Sequence, residues 1–162
     1  MAVFSLGDSS VANVEPLLAK FGLSLILLAE GETIDGSFWG DSEAGLIANK
    51  LYARPDTPVH SVFHEACHYI CMDEGRRQML DTNAAGDYAE ENAVCYLQVL
   101  LATHVPGFDD QRMFSDMDEW GYSFRLGSAK KWFFQDAEDA RLWLLQHKII
   151  ANDNSILWQL RK

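Results

Sequence analysis

Five consecutive residues, His64-Glu65-Ala66-Cys67-His68, set two imidazoles four positions apart with a carboxylate next to the first. On a helix, residues four apart lie one turn above each other on one face, so both rings can reach one metal ion. Glu65 sits about 100° around the helix from His64, which turns it away from the metal and toward a water held there. Two histidine ligands, an open position for water and a carboxylate to take a proton are the parts of a zinc hydrolase. With five His and ten Glu in the chain, chance alone would produce the pattern in roughly one such chain in a hundred. The ordinary alternative is an amphipathic helix whose histidines only pack, so the chemistry requires both a helix beneath the motif and a third ligand.

Catalytic zinc is held by three side chains plus water. A downstream apolar stretch, read as a helix from about Asp87 to His104, offers Asp87, Glu90 and Glu91. Glu90 shares a helical stripe with Ala93, Val94, Leu97 and Leu101 and should face inward, where an unpaired carboxylate is costly and a metal would compensate it. The competing reading is that Glu90 places negative charge at a helix start, which the helix dipole favours. Glu91 falls with Cys95 and Gln98 on what reads as a wetter flank. The expected metal ligands are therefore His64, His68 and Glu90, with Glu91 the nearer alternative and Asp87 the more distant one. Glu65 is the expected catalytic base.

The histidine motif, a gap of twenty-odd residues, and then Glu90-Glu91-Asn92-Ala93 heading an apolar helix resemble the gluzincin metallopeptidases, and more narrowly the ImmA/IrrE type. Glu90, Ala93, Tyr96 and Leu100-Leu101 follow that pattern in step. Upstream, Gly36-Ser-Phe-Trp39, Leu46-Ile-Ala-Asn49 and Val62-Phe63 follow the family's order of strands before the histidine helix, so the likeness spans roughly residues 21 to 104. Ala66-Cys67 stands where the family has a Leu-Gly pair, and Val94 where it has an asparagine. The resemblance implies a minimal zincin-like domain that binds Zn2+ and cuts a peptide or protein substrate, including regulatory proteins.

The elements that must position these residues are legible in part. Ser9 or Ser10 can cap a first helix through Val11, Val14, Leu17, Leu18 and Phe21, with Gly22 as its stop and Pro16 as an awkward interior residue. Leu23 to Ala29 reads as a buried strand, Ser37-Phe-Trp39 as a short strand among turns, and Gly45 to Tyr52 as one further strand. Thr57-Pro58 is a helix-start signal; no breaker interrupts Val59 to Met72, and Gly75 is placed to end that helix. Met113 to Gly127 reads as irregular. Ser128 to Phe134 reads as helical, and Asp136 caps a further helix running to about Lys148. Residues 152–162 form a tail docked through Ile156, Leu157 and Trp158. The expected fold is α+β, a small antiparallel sheet packed on the histidine helix and a second ligand-bearing helix. It forms a single zincin-like domain over residues 1–151, with 152–162 as a short C-terminal tail.

His60 extends the stripe of His64 and His68 and could hydrogen-bond a ligand or simply pack. Cys67 and Cys71 suit core packing better than metal binding, since nothing pairs with them at zinc-knuckle spacing. An oxyanion donor would come from His104, Tyr122, Arg125 or His147. Carboxylates to orient the histidines would come from Asp73, Asp81, Asp87 or Glu91.

Composition bounds the rest. The 162 residues are 48% hydrophobic with net charge −11. That balance disfavours a nucleic-acid partner, because phosphate binding relies on Lys and Arg. No apolar run approaches the roughly 20 residues that span a bilayer, and Met1 to Asp8 lacks the features of a signal peptide. An odd count of three cysteines argues against a disulfide framework and for a reducing cytoplasm. The nine acids from Asp81 to Glu119, against Arg112 alone, would favour basic peptides if they bordered a cleft. The expected function is a zinc-dependent metallopeptidase. The alternatives are a non-catalytic zinc-binding or protein-interaction domain of the same fold, and a metal-free helix pair in an adaptor.

Overall fold

The computed structural model describes residues 3–9, 11–38, 40 and 42–162. Among them the chain forms a mixed α+β fold with seven helices and one three-stranded sheet. Helix α1 (Val11–Ala19) runs through Pro16 and buries Val14, Leu17 and Leu18; that burial outweighs the backbone bond the proline cannot donate. Ser10, one of the two expected caps, lies outside the described residues. Gly22, at φ +80°, ends the segment as expected.

Strand β1 (Ser24–Leu27) lies parallel to β3 (Lys50–Ala53), and β2 (Gly45–Ile47) lies antiparallel to β3, giving the order β1-β3-β2. The sheet is thus mixed, not antiparallel. The expected single strand from Gly45 to Tyr52 is a hairpin that pairs Leu46 with Leu51. Its turn is made by Ala48 at φ 52°, a conformation that an uninterrupted apolar run does not announce. The outer edge of β2 is taken by the segment after the histidine helix, through an Ile47–Asp81 bridge and the bonds from Ala48 N to Leu80 O and from Thr82 N to Leu46 O. No strand forms at Ser37-Phe38, and Trp39 lies outside the described residues.

Helix α2 (Val59–Cys71) carries the motif. Pro58 occupies its N-cap position, and the Thr57 hydroxyl, expected to cap it, instead accepts from Arg54 N at 2.9 Å. Gly75 is not its stop. The helix ends at Cys71, and Asp73 caps a separate short helix, α3 (Glu74–Gln78), that the sequence reading lacked. Helix α4 (Tyr88–Ala102) is capped by Asp87 and packs along α2, burying Ala93, Val94, Leu97 and Leu101. The stretch expected to be irregular holds α5 (Asp110–Trp120), capped by Asp109 and closed by Gly121 at φ 101°. Helix α6 (Ala129–Gln135) begins at its Ser128 cap as expected, and α7 (Glu138–Gln146) follows. Asp136 does not cap α7; its carboxylate takes the Arg125 guanidinium.

The C-terminal tail packs against the core beside α2. In the tail, Ile156 is buried and Trp158 packs by Phe21 and His104, whereas Leu157 is exposed. Arg161 N donates to Ile70 O, tying the chain's last residues to the C-terminal turn of α2. No helix among the described residues is long and apolar enough to cross a membrane.

Candidate metal centre

Helix α2 turns Phe63, Ala66, Cys67 and Ile70 into the core and its His60-His64-His68 stripe toward α4. Both cysteines are fully buried and free, in keeping with packing. His64 Nε2 and His68 Nε2 lie 3.1 Å apart. The third member of the cluster is Glu91, whose Oε2 is 3.5 Å from His68 Nε2 and whose Oε1 accepts from Gly86 N at 3.2 Å. Two imidazole nitrogens and a carboxylate oxygen form a donor set that suits zinc. Ligands about 2.1 Å from a tetrahedral ion stand roughly 3.4 Å from one another, close to the 3.1 Å and 3.5 Å found for the His64–His68 and His68–Glu91 pairs.

Glu90, the expected third ligand, is not brought to the histidines. It is buried as its stripe requires, but its two oxygens accept from Arg76 Nη1 and Nη2, each at 2.8 Å, with Arg161 Nη1 at 3.4 Å. The need for a compensating partner was sound; the partner is a guanidinium from α3, an element absent from the sequence reading. Gly86 makes room for this turn, since a Cβ there would stand 1.8 Å from Glu90 Oε2. The flank that read as wet, bearing Glu91, Cys95 and Gln98, faces α2, and Gln98 is fully buried.

Glu65 lines a cavity of about 90 Å³ together with His64, His68, Glu91, Phe38 and the segment Thr82 to Ala85. One wall of it is strained, with Thr82 at φ 70°. Burial, reinforced by the carboxylates of Glu43 and Glu91, pushes the Glu65 carboxyl up to about 8. Burial acts oppositely on the rings: it lowers His60 to about 3, aided by His64, and lowers His64 and His68.

The remaining expected participants are placed elsewhere. None of His104, Tyr122, Arg125 or His147 lines the cavity. Tyr122 stands behind His64, with its hydroxyl 3.2 Å from His60 Nδ1 and 3.3 Å from Gln98 Nε2. Asp73 and Asp87 are spent as helix caps, and Asp81 accepts from the Thr82 hydroxyl. The acids from Asp81 to Glu119 touch the cavity only through Glu91. What orients His64 is the Gln98 side chain, whose Oε1 lies 3.0 Å from His64 Nδ1. Sequence reasoning placed Gln98 beside Glu91 but attached no role to it.

The depressed histidines carry a pH signature. In the metal-free fold they stay neutral where the unfolded chain protonates them near 6.5, so stability is lost as pH falls from 6.5 toward 3, by about 1.4 kcal/mol per pH unit for His60 alone. Glu65 acts the other way between about 8 and 4.5, since the fold already holds its proton. The loss should therefore steepen below 4.5, where the histidines act unopposed. Urea unfolding of metal-free protein from pH 7 to 4 checks this, and His60→Gln should flatten the slope by about one proton. A midpoint constant across that range would contradict it.

Comparison of the chain with protein-family models, curated proteins and solved structures finds no significant match.

Proposed function

We propose that the chain is a zinc-dependent metallopeptidase whose ion is held by His64, His68 and Glu91. The observation that carries this reading is the convergence of the His64, His68 and Glu91 ligand atoms beside a cavity that Glu65 also lines. Zinc held there would polarise a peptide carbonyl and acidify a water. Glu65 would take the proton and return it to the leaving amine. The sequence resemblance to gluzincins supports a zinc peptidase, although its pattern has Glu90 and not Glu91 in step as the third ligand. The substrate is a peptide or protein, including a regulatory protein. The cytoplasm is the location we infer, where three free cysteines stay reduced.

A second reading, a non-catalytic zinc-binding or interaction domain, is favoured by one feature. The cavity beside the cluster is small, about 90 Å³, room for an ion and a few waters.

Metal analysis of untagged protein purified without added zinc tests both against a metal-free adaptor. About one zinc per chain is expected, lost in His64→Ala or His68→Ala. Substoichiometric metal that survives both substitutions would overturn the zinc site.

A further inference from the structure

We propose that Gln98 is a positioning residue that sets the tautomer of His64, and thereby aims the lone pair of His64 Nε2 at the space shared with His68 and Glu91. The inference rests on the zinc-site reading for its functional consequence, and on hydrogen bonding alone for its first step.

A backbone carbonyl fixes the orientation of the Gln98 amide. Gln98 Nε2 lies 3.0 Å from His60 O, and a carbonyl oxygen only accepts. The amide nitrogen must therefore face His60, which turns Oε1 toward His64 Nδ1 at 3.0 Å. Oε1 also only accepts, so His64 Nδ1 must carry the hydrogen. A neutral imidazole has a single N–H, so with Nδ1 protonated toward Gln98 the His64 Nε2 is bare. Gln98 is fully buried, with Met113 Sδ at 3.5 Å from Nε2, so its amide is confined.

Beside that carbonyl, Gln98 Nε2 lies 3.3 Å from Tyr122 Oη, which in turn stands 3.2 Å from His60 Nδ1.

His68 contrasts with His64. Its Nδ1 is buried with no partner among the described residues, and its Nε2 lies 3.1 Å from the bare Nε2 of His64. In the metal-free chain His68 Nε2 therefore holds the hydrogen and donates it to His64. One ligand is preset for metal by Gln98, and the other must surrender its Nε2 hydrogen before it can coordinate.

Long-range 1H–15N correlation of the 15N-labelled, metal-free full chain reads these tautomers directly. The expected spectrum has His64 protonated at Nδ1 and His68 at Nε2. Gln98→Met should abolish the His64 preference and weaken zinc binding, measured by competition with a chromophoric chelator, by about 10–100-fold. Gln98→Glu retains an acceptor for Nδ1 and should keep the tautomer, which a merely space-filling role would not distinguish from Gln98→Met. If Gln98→Met does not fold, the wild-type and Gln98→Glu spectra decide. A wild-type His64 protonated at Nε2 would overturn the inference, as would a folded Gln98→Met that keeps both tautomer and zinc affinity. A chain that binds no zinc, yet loses the His64 tautomer in Gln98→Met, would refute the zinc site and support the positioning role of Gln98.

Discussion

Glu65→Gln is expected to leave zinc content unchanged and to lower peptide hydrolysis by about 10²–10⁴-fold, the usual contribution of a positioned general base. The amide preserves the shape of a side chain that is only 8% exposed and replaces no member of the His64-His68-Glu91 cluster. It cannot accept a proton as the carboxylate does. The substitution also has a signature without substrate. Ionising Glu65 in the fold is opposed by burial and by Glu43 and Glu91, so the metal-free variant should lose the opposing effect that this residue exerts between about pH 4.5 and 8. Hydrolysis of a proteome-derived peptide library, at matched zinc content, is the measurement. Equal cleavage by wild type and Glu65→Gln would remove Glu65 as the base. If zinc binds and neither protein cleaves, the non-catalytic reading stands, in line with the small cavity.

The second large effect separates two adjacent glutamates. Glu91→Gln should weaken zinc binding by more than about 100-fold, since groups that merely orient a ligand are already worth 10–100-fold. It should cost little stability, because Glu91 is half-buried and its Gly86 bond can be made by an amide oxygen. Glu90→Gln should do the reverse. It should retain zinc within a few-fold and lower stability by about 2 kcal/mol, the scale of hydrogen bonds to charged groups, because it weakens the paired bonds to Arg76. Zinc titration and urea unfolding of both variants measure the two effects. Loss of zinc in Glu90→Gln with retention in Glu91→Gln would return the third ligand to the position the sequence stripe indicates.

That pair of residues also marks how far the sequence reaches. Helix α2 was legible because an unbroken run from Val59 to Met72 carries apolar residues at helical spacing, and i,i+4 geometry then places His64 and His68 together whatever the rest of the fold does. Helix α4 was legible for the same reason. Chain-local rules could also say that Glu90 faces inward and needs a partner. They could not say which partner, because Arg76 comes from α3, a five-residue helix whose signal is an Asp73 cap and little else. Nor could they show that the flank of Glu91 and Gln98 faces α2 and buries Gln98, since that burial is imposed by α2 lying across it.

The sheet divides in the same way. The apolar runs around Leu25, Leu46 and Leu51 mark strands in the sequence itself, although β1 buries only Leu25 and leaves Leu27 exposed. The hairpin at Ala48 and the parallel pairing of β1 with β3 depend on contacts with residues far along the chain, including Leu80 at the edge of β2. By itself, then, the sequence determined the two helices, the histidine pair and the carboxylate beside it, because these follow from periodicity and spacing within one segment. The tertiary structure alone decided which glutamate meets the histidines, which arginine neutralises the other, and which amide orients His64. Those choices rest on distances between segments, where burial and charge compensation select among residues that are equivalent in local pattern.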